Sequence, residues 1–153
     1  MTPQERDELI SRYRRGARTL LEALSRLSEA DLDRATEEGG WSGRAVAHHV
    51  ADAELIGAAR LRRLIAEDSP RIPPYDQEVY ARRMDYERPI AASLALIAAL
   101  TDANAELLEG LSPEEWARGG VHEERGTYTI ESWLAMYADH CEAHAEQVAR
   151  AVG

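Results

Sequence analysis

Apolar residues recur at helical spacing along four long segments of the chain, and no stretch sustains the two-residue alternation of a half-buried strand. The pattern predicts an all-α fold, a four-helix bundle with long connections. The first helix should open with Thr2 as N-cap, Pro3 in the first turn and Glu5 closing a capping box. Its stripe is Leu9, Tyr13, Leu20, Leu24 and Leu27, ending near Ser28. A short turn at Ser28–Asp31 leads to Gly39-Gly40, where backbone freedom favours a loop. The second helix should start at the N-cap Ser42 and reach about Glu67, with Val46, His49, Ala53, Leu61 and Leu64 on one face.

Asp68-Ser69-Pro70 stops that helix, and Pro70, Pro73 and Pro74 predict an irregular crossover with a shorter helix over Asp76–Met84. The third long helix is expected from about Pro89 to Leu111, burying Ile90, Leu94, Ile97, Leu107 and Leu111. Ser112-Pro113-Glu114-Glu115 then signals a short helix through Trp116. The last long helix should follow Thr129 and run nearly to Gly153, carrying Trp133, Tyr137, His140, His144 and Val148 on one stripe. Connections of roughly 15–20 residues exceed those of simple up-and-down bundles and imply at least one crossover. No internal repeat or low-complexity tract interrupts the pattern.

A length of 153 residues, 44% of them apolar, suits one domain over 1–153 with a single core. The uninterrupted apolar runs are too short for a bilayer span, and the N-terminal residues lack a signal-peptide pattern, so a cytoplasmic protein with no membrane partner is expected. Cys141 is the only cysteine, which excludes an internal disulfide and fits a reducing compartment. A formal charge of −10 argues against nucleic acid as a partner and leaves a small molecule as the expected substrate. All 18 basic residues are arginine, which reads as compositional bias. Arginine-rich and apolar helix faces coexist, a pattern compatible with a homodimer that does not decide it.

The chemistry lies with the histidines. His140 and His144 stand four residues apart, so on a helix their rings share a face one turn apart. Alone such a pair is a weak signal, because many are exposed and unliganded. His49 lies on the apolar stripe of the second helix and supplies a third imidazole if the two helices pack together. Three buried imidazoles without partners would be costly, and a divalent ion such as zinc, nickel or iron gives them a common explanation. Three neutral ligands would leave coordination positions open, as in catalytic sites.

Asp52, one turn after His49, is the first candidate for a carboxylate orienting a ligand ring; the alternative is an ordinary surface carboxylate. His48 is about 100° around the helix from His49 and reads as the more exposed of the two. His122, in the segment before the last helix, either lines the mouth of the site or is a solvated loop residue. Cys141 reads as a small buried hydrophobe in preference to a reactive thiol.

Several elements together resemble the DinB-like, or YfiT-like, family of metal-dependent proteins across nearly the whole chain. They are Trp41-Ser42 with His49-Val50-Ala51-Asp52-Ala53-Glu54, Trp116 with Gly120-Val121-His122, and Gly126-Thr127-Tyr128-Thr129-Ile130 leading to His140-x-x-x-His144-x-x-Gln147. The resemblance implies a four-helix bundle that binds nickel, zinc or a similar ion through one histidine of the second helix and two of the fourth. By position these are His49, His140 and His144. Asp76–Tyr86 also looks family-like and is expected in a lid or pocket wall, whereas Cys141 departs from relatives that carry an acidic residue there.

Family members with assigned activity use low-molecular-weight thiols such as bacillithiol or mycothiol, as S-transferases or a thiol-dependent isomerase. The resemblance therefore implies a metal-dependent thiol S-transferase, with Arg44, Arg83 or Arg125 as candidates to hold the thiol's carboxylates. A hydrolase using metal-bound hydroxide and a non-catalytic metal or ligand binder of the stress-protein type are the alternatives.

Overall fold

The computed structural model describes residues 1–36 and 40–152, with side chains described to Arg150. Four long helices dominate: α1 (Pro3–Ser25), α3 (Gly43–Ala66), α5 (Ala91–Glu109) and α7 (Ile130–Val152). Short helices α2 (Glu29–Leu32), α4 (Gln77–Arg83) and α6 (Pro113–Trp116) lie in the connections. The four-helix bundle expected from the pattern is the fold.

The caps explain the boundaries. Thr2 and Ser112 each form a capping box, with Glu5 and Glu115. Ser42 accepts from the Ala45 amide, and Asp76 from the amides of Glu78 and Val79. The first helix ends at Ser25, earlier than Ser28, because Ser28 is extended (φ −69°, ψ 162°) and caps α2. Of Gly39-Gly40, Gly39 lies outside the described residues.

In the bundle, α1 packs against α7 and α5, and α3 packs against α5 and α7. Consecutive long helices α1 and α3 therefore lie on a diagonal, as do α5 and α7, so two of the three connections cross an end of the bundle. α3 is buried on two sides as a result.

Two details differ from the pattern. Leu107 is 37% exposed, and the core face of α5 is instead Ser93, Ile97, Thr101, Asn104 and Leu108. With 19 residues and an 18-residue window of mean hydropathy 1.3, α5 also meets the length and apolarity of a bilayer span, although its apolar runs are interrupted; here it forms one wall of the bundle.

A small sheet accompanies the helices: β1 (Arg71–Ile72), β2 (Gly119–His122) and β3 (Gly126–Thr129). β1 runs parallel to β2, and β2 antiparallel to β3. Strands of two to four residues are too short to show alternation in the sequence, which is why none was expected. Gly120 permits the close approach of the first two strands, since a Cβ there would sit 2.3 Å from the Pro70 carbonyl oxygen. His122, paired with Ile72, is buried and lines a cavity together with His49 of α3 and His140 of α7.

Candidate metal centre

Packing of α3 on α7 brings His49 to His140 and His144. The Nε2 atoms of His49 and His140 are 3.0 Å apart, and those of His140 and His144 3.2 Å apart. All three donor atoms lie within 4.8 Å of one another. Three nitrogens bonded to one ion at zinc-like distances with tetrahedral angles would be about 3.4 Å apart. The donor set and its convergence thus fit a divalent ion.

Protonation favours the same use. Burial, followed by the proximity of His140 and His144, pushes His49 down to about 3. Burial and His144 push His140 down to about 3 as well, and burial lowers His144. All three rings are neutral at neutral pH and can offer a lone pair.

Which nitrogen of His144 carries the proton follows from a chain of hydrogen bonds. The Trp41 carbonyl can only accept, so Thr36 donates its hydroxyl proton there (2.8 Å) and must accept from the Gln147 amide nitrogen (2.8 Å). That turns Gln147 Oε1 toward His144 Nδ1, 2.7 Å away, which fixes the proton on Nδ1 and the lone pair on Nε2. The Nδ1 atoms of His49 and His140 are buried without a hydrogen-bond partner among the described residues. Trp41 also packs its ring edge to face with His49, centroids 4.6 Å apart.

The structure corrects several expectations. Asp52 accepts from the Tyr86 hydroxyl (2.6 Å), and the ring-orienting position belongs to Gln147 instead. His48 is fully buried, contrary to its reading as the exposed one: its Nδ1 meets Ser93 (2.7 Å) and its Nε2 the Arg88 carbonyl (2.9 Å). α3 has an interior on both sides, so residues 100° apart can both be buried.

His122 is buried, at 4% exposure, and lines the cavity, which excludes the solvated-loop alternative. Cys141 is a buried thiol donating to Glu54 Oε1 (3.4 Å), its pKa raised by burial and then by Glu54. Arg44 is held by Glu29 and Asp33, and Arg83 lies outside the cavity wall.

The cavity has a volume of about 200 Å³ and opens beside His49 and His140. Tyr137 forms part of its wall, lying against Gly57, where a Cβ would meet the ring at 2.3 Å. Tyr75 and Met136 supply further apolar wall, and Arg60, Arg125 and His122 supply polar groups. Pattern alone does not mark Arg60 as a site residue, and Gln147 enters the sequence reading only as the last position of the His140-x-x-x-His144-x-x-Gln147 motif. Gln147 follows His144 by three residues, on the same helix face, and Arg60 continues the stripe of His49 and Ala53.

The sequence model of the DinB superfamily matches residues 12–148. The chain belongs to this superfamily. It is 37% identical over 131 residues to a protein of Oceanobacillus iheyensis named "Putative metal-dependent hydrolase OB0782", covering 86% of this chain and 76% of the relative. The structure of YfiT from Bacillus subtilis, described as having an unusual four-helix bundle topology, superposes with a TM-score of 0.92. Its identity is 26%, over 99% of this chain and 87% of that one. A mycothiol-dependent maleylpyruvate isomerase shares the fold, with a TM-score of 0.75 and 17% identity over 97% of this chain and 63% of the isomerase.

Proposed function

We propose that this DinB-superfamily protein is a divalent-metal-dependent enzyme acting on a small molecule, with His49, His140 and His144 as the ligands of the ion. The observation that carries this reading is the meeting of three Nε2 atoms from two helices at the wall of a cavity. Zinc, nickel and iron all accept three imidazoles, and the donor set does not choose among them. An ion there would supply Lewis acidity, lowering the pKa of a water or thiol at its open position. Gln147 holds His144 in the ligating tautomer, Trp41 braces His49, and Tyr137 and Met136 shield the cavity side. As part of the same reading, residues 1–153 act as one domain in the cytoplasm, where a lone thiol such as Cys141 stays reduced.

The activity we favour is transfer of a low-molecular-weight thiol of the bacillithiol or mycothiol type. The thiol sulfur bonds to an electrophilic carbon, and the thiol proton passes to solvent or to the leaving group. Glu124 is the one carboxylate lining the cavity among the described residues, and it is exposed. Water attack gains from a general base close to the reacting atom, whereas a thiol held by a metal ion ionises without one.

Hydrolysis is the second reading, supported by the name of the 37% identical relative. Metal-loaded protein incubated with a bimane electrophile and bacillithiol, mycothiol or cysteine should form the thioether only when both metal and thiol are present. Turnover of ester or amide substrates without thiol would favour hydrolysis instead. Absence of both, with the metal bound, would favour a non-catalytic binder.

A further inference from the structure

Arg60 lies about three turns beyond His49 on α3, is 9% exposed and lines the same cavity. One nitrogen, Nη2, donates to the Pro73 carbonyl at 2.7 Å, and no carboxylate lies within ion-pair distance among the described residues. Arg44, the other buried arginine among the described residues, differs: 6% exposed, it meets Glu29 at 2.5 Å and Asp33 at 2.6 Å. A buried guanidinium without a counter-charge is costly, and one that faces a cavity is satisfied by what enters it.

Two further donors line that cavity. Arg125, in the turn between β2 and β3, has its guanidinium against Met136 Sδ (2.8 Å) and no carboxylate within ion-pair distance among the described residues. His122 Nδ1 accepts the Glu124 amide (3.3 Å), so the proton of the neutral ring sits on Nε2. Burial, with Arg60 and Arg125 nearby, keeps the His122 ring neutral by lowering its pKa. The Arg60 guanidinium carbon lies over the Tyr75 ring, 5.6 Å from its centroid. Glu124, the opposing charge, and Arg125 are both exposed at the rim, whereas Arg60 and His122 are buried.

We propose that Arg60, with Arg125 and the Nε2 proton of His122, forms an anion-holding end of this cavity, and that the molecule bound there carries a carboxylate. A planar guanidinium matches a carboxylate through two parallel hydrogen bonds, which suits a small organic acid in a cavity of about 200 Å³. The inference names a substrate class for the function proposed above and rests on that reading only in calling the acid a substrate.

Calorimetric titration of metal-loaded protein with the dicarboxylates from malonate to adipate, each against its diamide, tests it. At least one acid should bind tenfold or more tightly than its diamide. Arg60→Met should weaken that acid tenfold or more, Arg60→Lys less, and Arg125→Gln about threefold. The same Arg60→Met loss should appear in a His140→Ala background, which separates this site from the metal reading. Equal binding of every acid and its diamide, or no binding of any acid, overturns the proposal, as does unchanged affinity in Arg60→Met. Should Arg60→Met not fold, unchanged affinity in both Arg125→Gln and His122→Phe overturns it.

Discussion

Gln147 Oε1 lies 2.7 Å from His144 Nδ1, and its amide nitrogen lies 2.8 Å from the Thr36 hydroxyl. Thr36, in the connection between α2 and α3, is thereby tied to the orientation of a histidine ring. Partners of this kind commonly change metal affinity 10–100-fold. Gln147→Leu should weaken metal binding by about that factor, and Thr36→Val by less, in competition with a chromophoric chelator. Gln147→Glu, which keeps the acceptor, should retain most of the affinity. Wild-type affinity in Gln147→Leu would mean that the ring is oriented by packing alone.

In the metal-free protein, stability should fall with acid. His49 and His140 are held near 3 in the fold and return to about 6.5 when unfolded. Between those values the unfolded chain binds more protons, so their contribution is full above about 6.5 and is lost as pH falls toward 3. Urea unfolding with chelator present should give a lower midpoint at pH 5 than at pH 7.5. His49→Phe should flatten the difference.

Glu54 acts with the opposite sign. Burial raises it to about 7, against 4.5 unfolded, while the Tyr13 hydroxyl and the Cys141 thiol donate to its two oxygens. The folded chain therefore keeps the proton longer, and this group's contribution falls as pH rises from about 4.5 to 7. The stability of Glu54→Gln relative to wild type should improve across that window, by at most about 3 kcal/mol. A pH-independent difference between the two would contradict the assignment.

Gly57→Ala should be destabilising. The new Cβ meets Tyr137 ring atoms at 2.3 and 2.5 Å, and that ring is backed by Trp133 at a centroid distance of 4.6 Å. Overpacking of this kind costs about 1–3 kcal/mol, readable as a lower urea midpoint. Because Tyr137 also walls the cavity, ligand affinity should fall as well.

Much of the bundle was legible because its helices announce themselves locally. Thr2, Ser42, Asp76 and Ser112 are caps that act within a few residues of sequence. What depends on packing between distant segments was harder to read. His48 reads as exposed only if α3 has one interior face, and α3 has two. The strands escaped because pairing of Arg71 with Val121 is a tertiary contact between very short segments. The role of Gln147 depends on Thr36, 111 residues away. The ion-pair partners that separate Arg44 from Arg60 are likewise visible only in the fold.

The most direct test of the account is elemental analysis of untagged wild-type protein beside a His49→Ala, His140→Ala, His144→Ala triple variant, with circular dichroism to confirm that the variant remains helical. The account predicts about one equivalent of a divalent metal in the wild type and none in the folded variant. Wild-type protein that takes up no zinc, nickel or iron on reconstitution, or a triple variant that keeps its metal, would contradict it.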